Sequence, residues 1–269
     1  VVRSVLLFYL MPMWVVGLAR WLLAEPVTLA ALARTALALA GAMLVLGDGQ
    51  LRWSALLNPQ GRVLFVVAAI RVAADDWRLL VPFSRGSELV EALRRFVFRR
   101  KVLLSNESAI HATLGDAGWD SGIAGGALAL TEQAADACTD AALDRFVAAG
   151  LALIDATASG RHLAHALRLD RFDAFSVKKG CYPGQEIVAR THFLGRNKRV
   201  PVLLEAGGNA DWRSGDVLHD GDGDVGEIVC AGRTLALAVL THAAAADHPL
   251  TVGADRRPAR VARSFAPES

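Results

Sequence analysis

The chain has 269 residues, of which 53% are hydrophobic, so it can form one large or two modest domains and is not a disordered protein. Its formal net charge of +2 is too small to indicate nucleic-acid binding by itself, so any basic surface must be local. The three cysteines, Cys138, Cys181 and Cys230, are odd in number and contain no CxxC pair or zinc-like spacing. This pattern predicts a cytoplasmic protein without a metal site, and it argues against an iron-sulfur cluster held by this chain alone.

The first 46 residues contain two long apolar runs, at residues 5–18 and 27–46. Either run has the length of a membrane helix or of a buried core helix. Pro12, Arg20 and Arg34 interrupt this region, which favours core helices, so no stable membrane association is expected.

The next part of the chain alternates short strands with helices. A strand that includes Trp53, a turn at residues 58–61 and a second strand at residues 63–69 form a predicted hairpin, and a third strand is predicted at residues 77–81. A helix is predicted at residues 84–98. The side chains expected on its inner face are Leu89, Leu93, Phe96 and Val97. Together these elements predict an α+β layer.

Residues 102–130 are glycine-rich and are predicted to form strands and loops, followed by a helix at residues 139–150 that Gly150 caps. His162 and His165, three residues apart, could share a helical face as metal ligands, but no acidic residue or cysteine stands nearby at ligand spacing. A surface or packing role is therefore favoured for both.

A basic cluster lies at the end of the predicted helix 84–98. Its members are Arg94, Arg95, Arg99, Arg100 and Lys101. The cluster could bind tRNA phosphates or the polyglutamate tail of a folate, or it could be a solvated helix face with favourable charge at its C-terminal end. The second interpretation is favoured, because no aromatic stacking surface accompanies the cluster.

After Arg199 the sequence changes to short apolar runs at residues 200–204, 216–219, 225–229 and 235–240, separated by turns rich in glycine and aspartate. This spacing predicts a small β-barrel. The acidic turn at residues 220–224 is interpreted as a hairpin, because it lacks the terminal glutamate of a calcium loop. The basic tail after Arg256 is expected to fray.

Residues 178–190 form the stretch with the densest chemistry. Pro183 and Gly184 predict a turn, and a helix beginning near Gln185 would place its positive N-terminal end beside Cys181. Lys179 adds a further positive charge, and both effects favour the thiolate. The alternative is a structural turn with a buried cysteine.

The same stretch carries a resemblance to a known family. The segment Lys-Gly-Cys-Tyr-Pro-Gly-Gln-Glu at residues 179–186, continued to Arg199, resembles the signature of the folate-binding YgfZ family. The Leu-Asn-Pro-Gln-Gly-Arg hairpin at residues 57–62 is also similar to one in that family. The family is related to the T protein, the aminomethyltransferase of the glycine cleavage system. Its members bind a tetrahydrofolate and support the assembly or repair of iron-sulfur enzymes, including those that thiolate tRNA.

The resemblance implies a fold and a set of site residues. It implies a T-protein-like folate-binding α+β domain at residues 1–195, of which 1–46 are uncertain, and a C-terminal β-barrel domain at residues 196–269. It implies that Cys181 is a functional thiol whose pKa Lys179 lowers. The implied motif residues are Gly180, Tyr182, Gly184, Gln185, Glu186 and Arg190. The four-residue spacing of Glu186 and Arg190 separately predicts that they pair across one helical turn. The implied folate-binding residues are Arg62, Arg145 and Glu186.

One segment departs from the family pattern. Where relatives carry a polar Gln-x-Gln-x-x-Asn-Asp segment, this chain has Ala36, Ala38, Gly41 and Ala42. This departure removes polar groups from the implied folate pocket. The function that the resemblance implies is a folate-binding accessory protein with iron-sulfur enzymes as partners. The alternative is a tetrahydrofolate-dependent aminomethyl or one-carbon transferase, which would need a carboxylate against the folate that the sequence does not identify. A third interpretation is a tRNA-binding module.

Overall fold

The computed structural model describes residues 49–73, 76–97, 102–107, 110–123, 126–132, 140–177, 182–195, 198–207, 211–221, 223–242 and 249–266. The chain divides into two compact units, residues 1–45 with 177–182, and residues 46–176 with 183–269. Most of the first unit, including the two apolar runs and the alanine-rich segment, lies outside the described residues. The fold below is that of the second unit, and the predicted division at residue 195 stays a prediction.

The predicted hairpin is confirmed as part of a three-stranded antiparallel sheet. Its strands are β1 (Leu51–Leu57), β2 (Val63–Ala73) and β3 (Asp76–Leu80), in the order β1-β2-β3. The side-chain oxygen of Asn58 accepts hydrogen bonds from the backbone amides of Gln60 (3.0 Å) and Arg62 (2.9 Å). These two bonds hold the turn between β1 and β2 in one conformation.

The helix after this sheet, α1 (Gly86–Arg94), is shorter than the predicted residues 84–98. Leu89 is buried and packs with Phe65 and Val67 of β2, as the apolar spacing predicts. Phe96 is 36% exposed, so the expectation that it lies on the inner face is wrong. The helix ends before the turn that contains Phe96, so the helical spacing no longer directs its side chain toward the sheet.

A second sheet and helix pack beside the first. Its strands are β4 (His111–Gly115), β5 (Trp119–Ile123) and β6 (Gly126–Thr131), in the order β4-β6-β5. Helix α2 (Asp140–Ala149) ends at Gly150, whose φ of 79° confirms the predicted glycine cap. Trp53 of β1 donates a hydrogen bond of 2.8 Å to the carbonyl of Ser121 and packs edge-on against Phe146 of α2, so one indole ring joins all three elements.

The C-terminal strands form a closed six-stranded antiparallel barrel, as predicted. They are β7 (Val200–Glu205), β8 (Val217–Asp220), β9 (Gly223–Ala231), β10 (Leu235–Leu240), β11 (Leu250–Val252) and β12 (Arg257–Ser264), in the order β10-β7-β12-β11-β8-β9. The interior is apolar, with Val202, Leu204 and Leu240 each 0% exposed. The β8–β9 connection is the hairpin turn expected at residues 220–224.

The expectation that the basic tail frays is wrong, because the tail is β12. This strand pairs with β7 and β11 and so closes the barrel. Ala259 and Val261 pack against the barrel core, while Arg260 faces out and forms an ion pair with Glu205 of β7. A strand in the wall of a small barrel needs only one apolar face. In β12 apolar and polar residues alternate over only a few positions, so its sequence looks like a polar tail.

Polar contacts join the barrel to the rest of the second unit at several places, two of which involve Asp144 and Arg168. The carboxylate of Asp144 on α2 accepts hydrogen bonds from the amide and hydroxyl of Thr234 and from the amide of Leu235. Beside the 3₁₀ helix Leu169–Phe172, Arg168 donates a hydrogen bond of 2.7 Å to the carbonyl of Phe265.

The longest helix among the described residues has ten residues, about half the length that a bilayer crossing needs. None of the described helices is long and apolar enough to span a membrane.

Candidate functional site

The signature turn leads directly into a helix, as the sequence predicts. Helix α3 (Gln185–Phe193) begins immediately after Gly184, which has a φ of 77°. The amide of Val188 donates a hydrogen bond of 3.0 Å to the carbonyl of Gly184. The Val188 side chain is buried, while Glu186 and Arg190 are exposed, so α3 is anchored by one face.

The Pro183–Gly184 turn packs against the hairpin turn at residues 58–62. A Cβ atom on Gly184 would lie 2.6 Å from the carbonyl oxygen of Asn58 and 2.6 Å from the Cα atom of Gly61. A Cβ atom on Gly61 would lie 3.0 Å from the Cβ of Ile187 on α3. We call residues 58–62 and 183–184 the paired turns. Their contact is one that only two glycines can make, because any side chain at either position would meet backbone or the rigid stem of a neighbouring residue.

Only part of the signature at residues 179–186 lies among the residues that the structure describes. Lys179, Gly180 and Cys181 lie outside the described residues. Tyr182 is half-buried, and burial raises the pKa of its phenol. Along the described helix α3, no ion pair joins Glu186 to Arg190, so the expected pairing is not observed.

The three predicted folate-binding residues are divided between two places. Arg62 lies in one of the paired turns, and Glu186 lies in the first turn of α3, which the Gly61–Ile187 contact brings to the same turn. Arg145 lies on α2, whose described contacts lead to β9, β10 and β5. The structure therefore supports a common location for Arg62 and Glu186, and it places Arg145 on a different element.

Arg62 begins a chain of polar contacts that ends on the barrel. Its guanidinium donates a hydrogen bond to the carbonyl of Arg161, in the loop between α2 and the 3₁₀ helix. The guanidinium of Arg161 forms an ion pair with Glu227 on β9. The Val63 amide also donates to the carbonyl of His162 at 2.9 Å, so loop, hairpin and barrel are linked at this point.

His162 lies at the centre of these contacts and is 1% exposed. Its Nε2 atom lies 3.3 Å from Oε1 of Glu227. Burial, together with the positive charges of Arg199, Arg161 and Arg62, lowers the pKa of His162 from 6.5 to about 4. The ring is therefore neutral at pH 7. Sequence reasoning favoured a surface or packing role and missed this charge environment, because the arginines come from three separate segments.

His165 and Cys230 are both in contact with apolar parts of the fold. His165 packs edge-on against Phe175 with ring centroids 4.8 Å apart, and burial lowers its pKa. No group of three potential metal ligands occurs within the described ranges. Cys230 is buried in the barrel wall, and burial raises the pKa of its thiol to about 12, so this cysteine is protonated and unreactive at neutral pH.

The described part of the basic cluster is engaged in local contacts. Arg94 forms an ion pair of 3.1 Å with Glu91, and Arg95 donates to the carbonyl of Ala92 while its guanidinium stacks 5.1 Å from the ring centre of Phe96. These contacts agree with a solvated helix end. Arg99, Arg100 and Lys101 lie outside the described residues.

The chain is similar in sequence to several curated proteins over part of its length. No family model matches it. A tRNA-modifying protein YgfZ from Aliivibrio fischeri is 42% identical over 96 residues, which is 32% of this chain and 30% of that protein. The tRNA-modifying protein YgfZ of Shigella dysenteriae is 42% identical over 78 residues, or 26% of this chain and 24% of that protein. The chain thus matches less than a third of the length of these relatives. These matches confirm the resemblance to the YgfZ family.

The fold has a solved counterpart. The aminomethyltransferase T of the glycine cleavage system from Bartonella henselae superposes with a TM-score of 0.52 and 15% identity, covering 80% of this chain and 74% of that one. This likeness confirms the predicted fold class, an α+β T-protein fold with a small C-terminal barrel.

Proposed function

We infer that this chain, a relative of YgfZ proteins with the fold of an aminomethyltransferase T protein, has a folate-related role in tRNA modification. The observation that carries the inference is the glycine contact of the paired turns. It shows that two segments resembling YgfZ sequences, far apart in the chain, meet in one place. Because the backbone of the signature turn packs tightly against the hairpin turn, its position is restricted, and so is that of the residues next to it.

Cys181 is the functional thiol in this proposal. It stands two residues before Pro183, and the described residues offer one competing thiol, Cys230, which is buried. Lys179 lowers the pKa of Cys181, and Gly180, Tyr182 and Gln185 shape the turn. The partners of this thiol would be iron-sulfur enzymes, including those that thiolate tRNA, and the protein would act in the cytoplasm.

Tetrahydrofolate is the proposed cofactor. Its carboxylates suit the guanidinium group of Arg62, which is exposed and lies beside the first turn of α3. Glu186 in that turn, also exposed, is retained as a folate-binding residue by family resemblance. Arg145 is retained as a folate-binding residue by family resemblance alone.

A second candidate is a tetrahydrofolate-dependent aminomethyl or one-carbon transferase, and the T-protein fold favours it. Such a reaction needs a carboxylate against the folate. Transfer of a one-carbon unit from an aminomethyl donor to tetrahydrofolate, followed by mass spectrometry, distinguishes the two. Turnover would establish the enzyme, and stoichiometric binding without turnover would establish the accessory protein.

The proposed function is tested by tetrahydrofolate calorimetry on the wild type and on Cys181→Ala, combined with the pH dependence of Cys181 alkylation. Peptide mass spectrometry assigns the label to Cys181 and separates it from the other two cysteines. We expect saturable binding in both proteins and a thiol pKa below the free value of about 8.5. Absence of binding together with an unreactive Cys181 would contradict the proposal.

A cellular measurement tests the link to tRNA. In cells lacking the native protein, thiolated nucleosides of tRNA are quantified after expression of the wild type or of Cys181→Ala. The wild type should restore thiolation, and Cys181→Ala should not. Equal restoration by both would remove Cys181 from the proposal.

A further inference from the structure

Three arginines place positive charge near His162, beside the paired turns. Arg62 comes from the hairpin, Arg161 from the loop after α2, and Arg199 from the residue before β7. All three are exposed residues. Glu227 supplies the carboxylate that contacts this group, through Arg161 and His162. The three guanidinium groups place positive charge around a neutral imidazole, and Glu227 places a carboxylate among them.

His162 gives the second, independent observation. It is 1% exposed, and neither ring nitrogen forms a hydrogen bond with any residue that the structure describes. Nε2 lies 3.3 Å from Glu227 but without hydrogen-bond geometry. A buried polar group without a hydrogen bond is unfavourable, and such a group in a native fold often indicates a ligand or bound water.

The surrounding charges suit one class of ligand. Guanidinium groups bind phosphate and carboxylate oxygens in a forked geometry, and several of them together favour ligands with more than one negative charge. Glu227 already occupies one such position on Arg161 with its own carboxylate. An external anion would bind beside this carboxylate and be repelled by it, while the arginines attract it.

We propose that Arg62, Arg161, Arg199 and His162 form a binding site for an oxyanion with two or more negative charges, supplied by phosphate or carboxylate groups. Glu227 limits the affinity of this site and holds Arg161 in place when the site is empty. The site is built from described residues only. Arg62 belongs both to this site and to the proposed folate contact, so a carboxylate source rests on the proposed function, whereas a phosphate source does not.

The test uses calorimetry with two probes, pyrophosphate and a tri-γ-glutamate peptide, at low ionic strength, where charge interactions are least screened. Arg161→Gln should weaken binding by about tenfold or more, since it removes a charged hydrogen-bond donor worth about 1.5–3 kcal/mol. Glu227→Gln should tighten binding several-fold, because it removes the repelling carboxylate. Arg199→Gln should weaken binding in the same direction as Arg161→Gln.

The exposed barrel pair Arg260 and Glu205 provides matched controls. Arg260→Gln and Glu205→Gln change the net charge by the same amounts on another part of the barrel surface, so they should change the affinity by less than twofold. A circular dichroism melt confirms the folding of each variant. Arg199→Gln alters an exposed residue and keeps the test decisive if Arg161→Gln unfolds.

The outcomes distinguish phosphate from carboxylate as the ligand, and they distinguish the anion site from tetrahydrofolate binding. Binding of pyrophosphate alone identifies phosphate groups as the source, and binding of the peptide alone identifies carboxylates. No binding of either probe at millimolar concentration, or equal effects of the site and control variants, would overturn the site. Neither probe contains a pterin, so binding of a probe and binding of tetrahydrofolate are measured separately, and either can fail without the other.

Discussion

The barrel and the paired turns both hold together segments that are distant in the chain, but they do so by opposite means. The barrel closes around apolar side chains such as Val202, Leu204 and Leu240, each 0% exposed. The paired turns meet through two glycines, with polar contacts at their edge. The barrel therefore tolerates exchanges among apolar residues of similar volume, whereas the paired turns tolerate no side chain at their centre.

The largest effect is expected from Gly184→Val. The new Cβ would lie 2.6 Å from backbone atoms of the facing turn, at a φ of 77° that a β-branched residue rarely adopts. We expect a loss of about 4 kcal/mol in the free energy of unfolding, from clash and backbone strain together. Urea unfolding followed by circular dichroism measures it.

Gly49→Val is the matched control for that substitution. Gly49 has nearly the same φ, 78°, but among the described residues no atom lies within 4 Å of an added Cβ. It should lose only the strain of about 1–2 kcal/mol. Equal losses in the two variants would show that the glycine contact contributes nothing beyond backbone conformation.

The next effect concerns the barrel. Leu204→Ala removes a fully buried side chain and leaves a cavity, so we expect a loss of about 3 kcal/mol by the same urea measurement. Leu194→Ala, at a residue 83% exposed, should change stability by less than about 0.5 kcal/mol. A loss of that small size for Leu204→Ala would mean that the barrel interior is not tightly packed.

The polar edge of the paired turns should respond to pH where the barrel core does not. The pKa of His162 is lowered from 6.5 to about 4 by burial and by Arg199, Arg161 and Arg62. The folded protein therefore binds this proton less readily than the unfolded chain. Above pH 6.5 the neutral His162 does not reduce the free energy of unfolding. As the pH falls from 6.5 toward 4, the free energy of unfolding decreases, by at most about 3 kcal/mol.

His162→Gln should remove this part of the pH dependence. Urea unfolding of wild type and variant at pH 7.0, 6.0, 5.0 and about 4.5 gives the difference in slope. His242→Gln, at an exposed residue, should leave the slope as it is in the wild type. If His162→Gln has the wild-type slope as well, the buried imidazole is not the group that titrates.

The smallest expected effect is the rate at which the Cys230 thiol is alkylated in the folded protein. Burial raises the pKa of Cys230 to about 12, so iodoacetamide at pH 8 should leave Cys230 unlabelled in the folded protein and label it only after unfolding. Peptide mass spectrometry reads the labelling. Rapid labelling of Cys230 in the folded state would show that the barrel wall opens on the timescale of the reaction.

Local patterns predicted most of the described elements. The Asn-Pro-Gln-Gly turn, the helix after Gly184 and the apolar runs of the barrel follow from residue conformation and short-range spacing. Strand β12 was missed, because Arg257–Ser264 has little apolar character and depends on pairing with β7 and β11. The environment of His162 was missed too, since its arginines and Glu227 come from separate segments.

The sequence by itself determined where the chain turns, which segments become helices or strands, and that residues 179–199 resemble the YgfZ signature. These properties depend on neighbours in the chain. The tertiary structure alone decided that Gly61 meets Gly184, that a basic tail closes a barrel, and that His162 stays neutral among three arginines. Each of those depends on atoms brought together from distant positions, where packing and long-range charge, rather than local preference, fix the outcome.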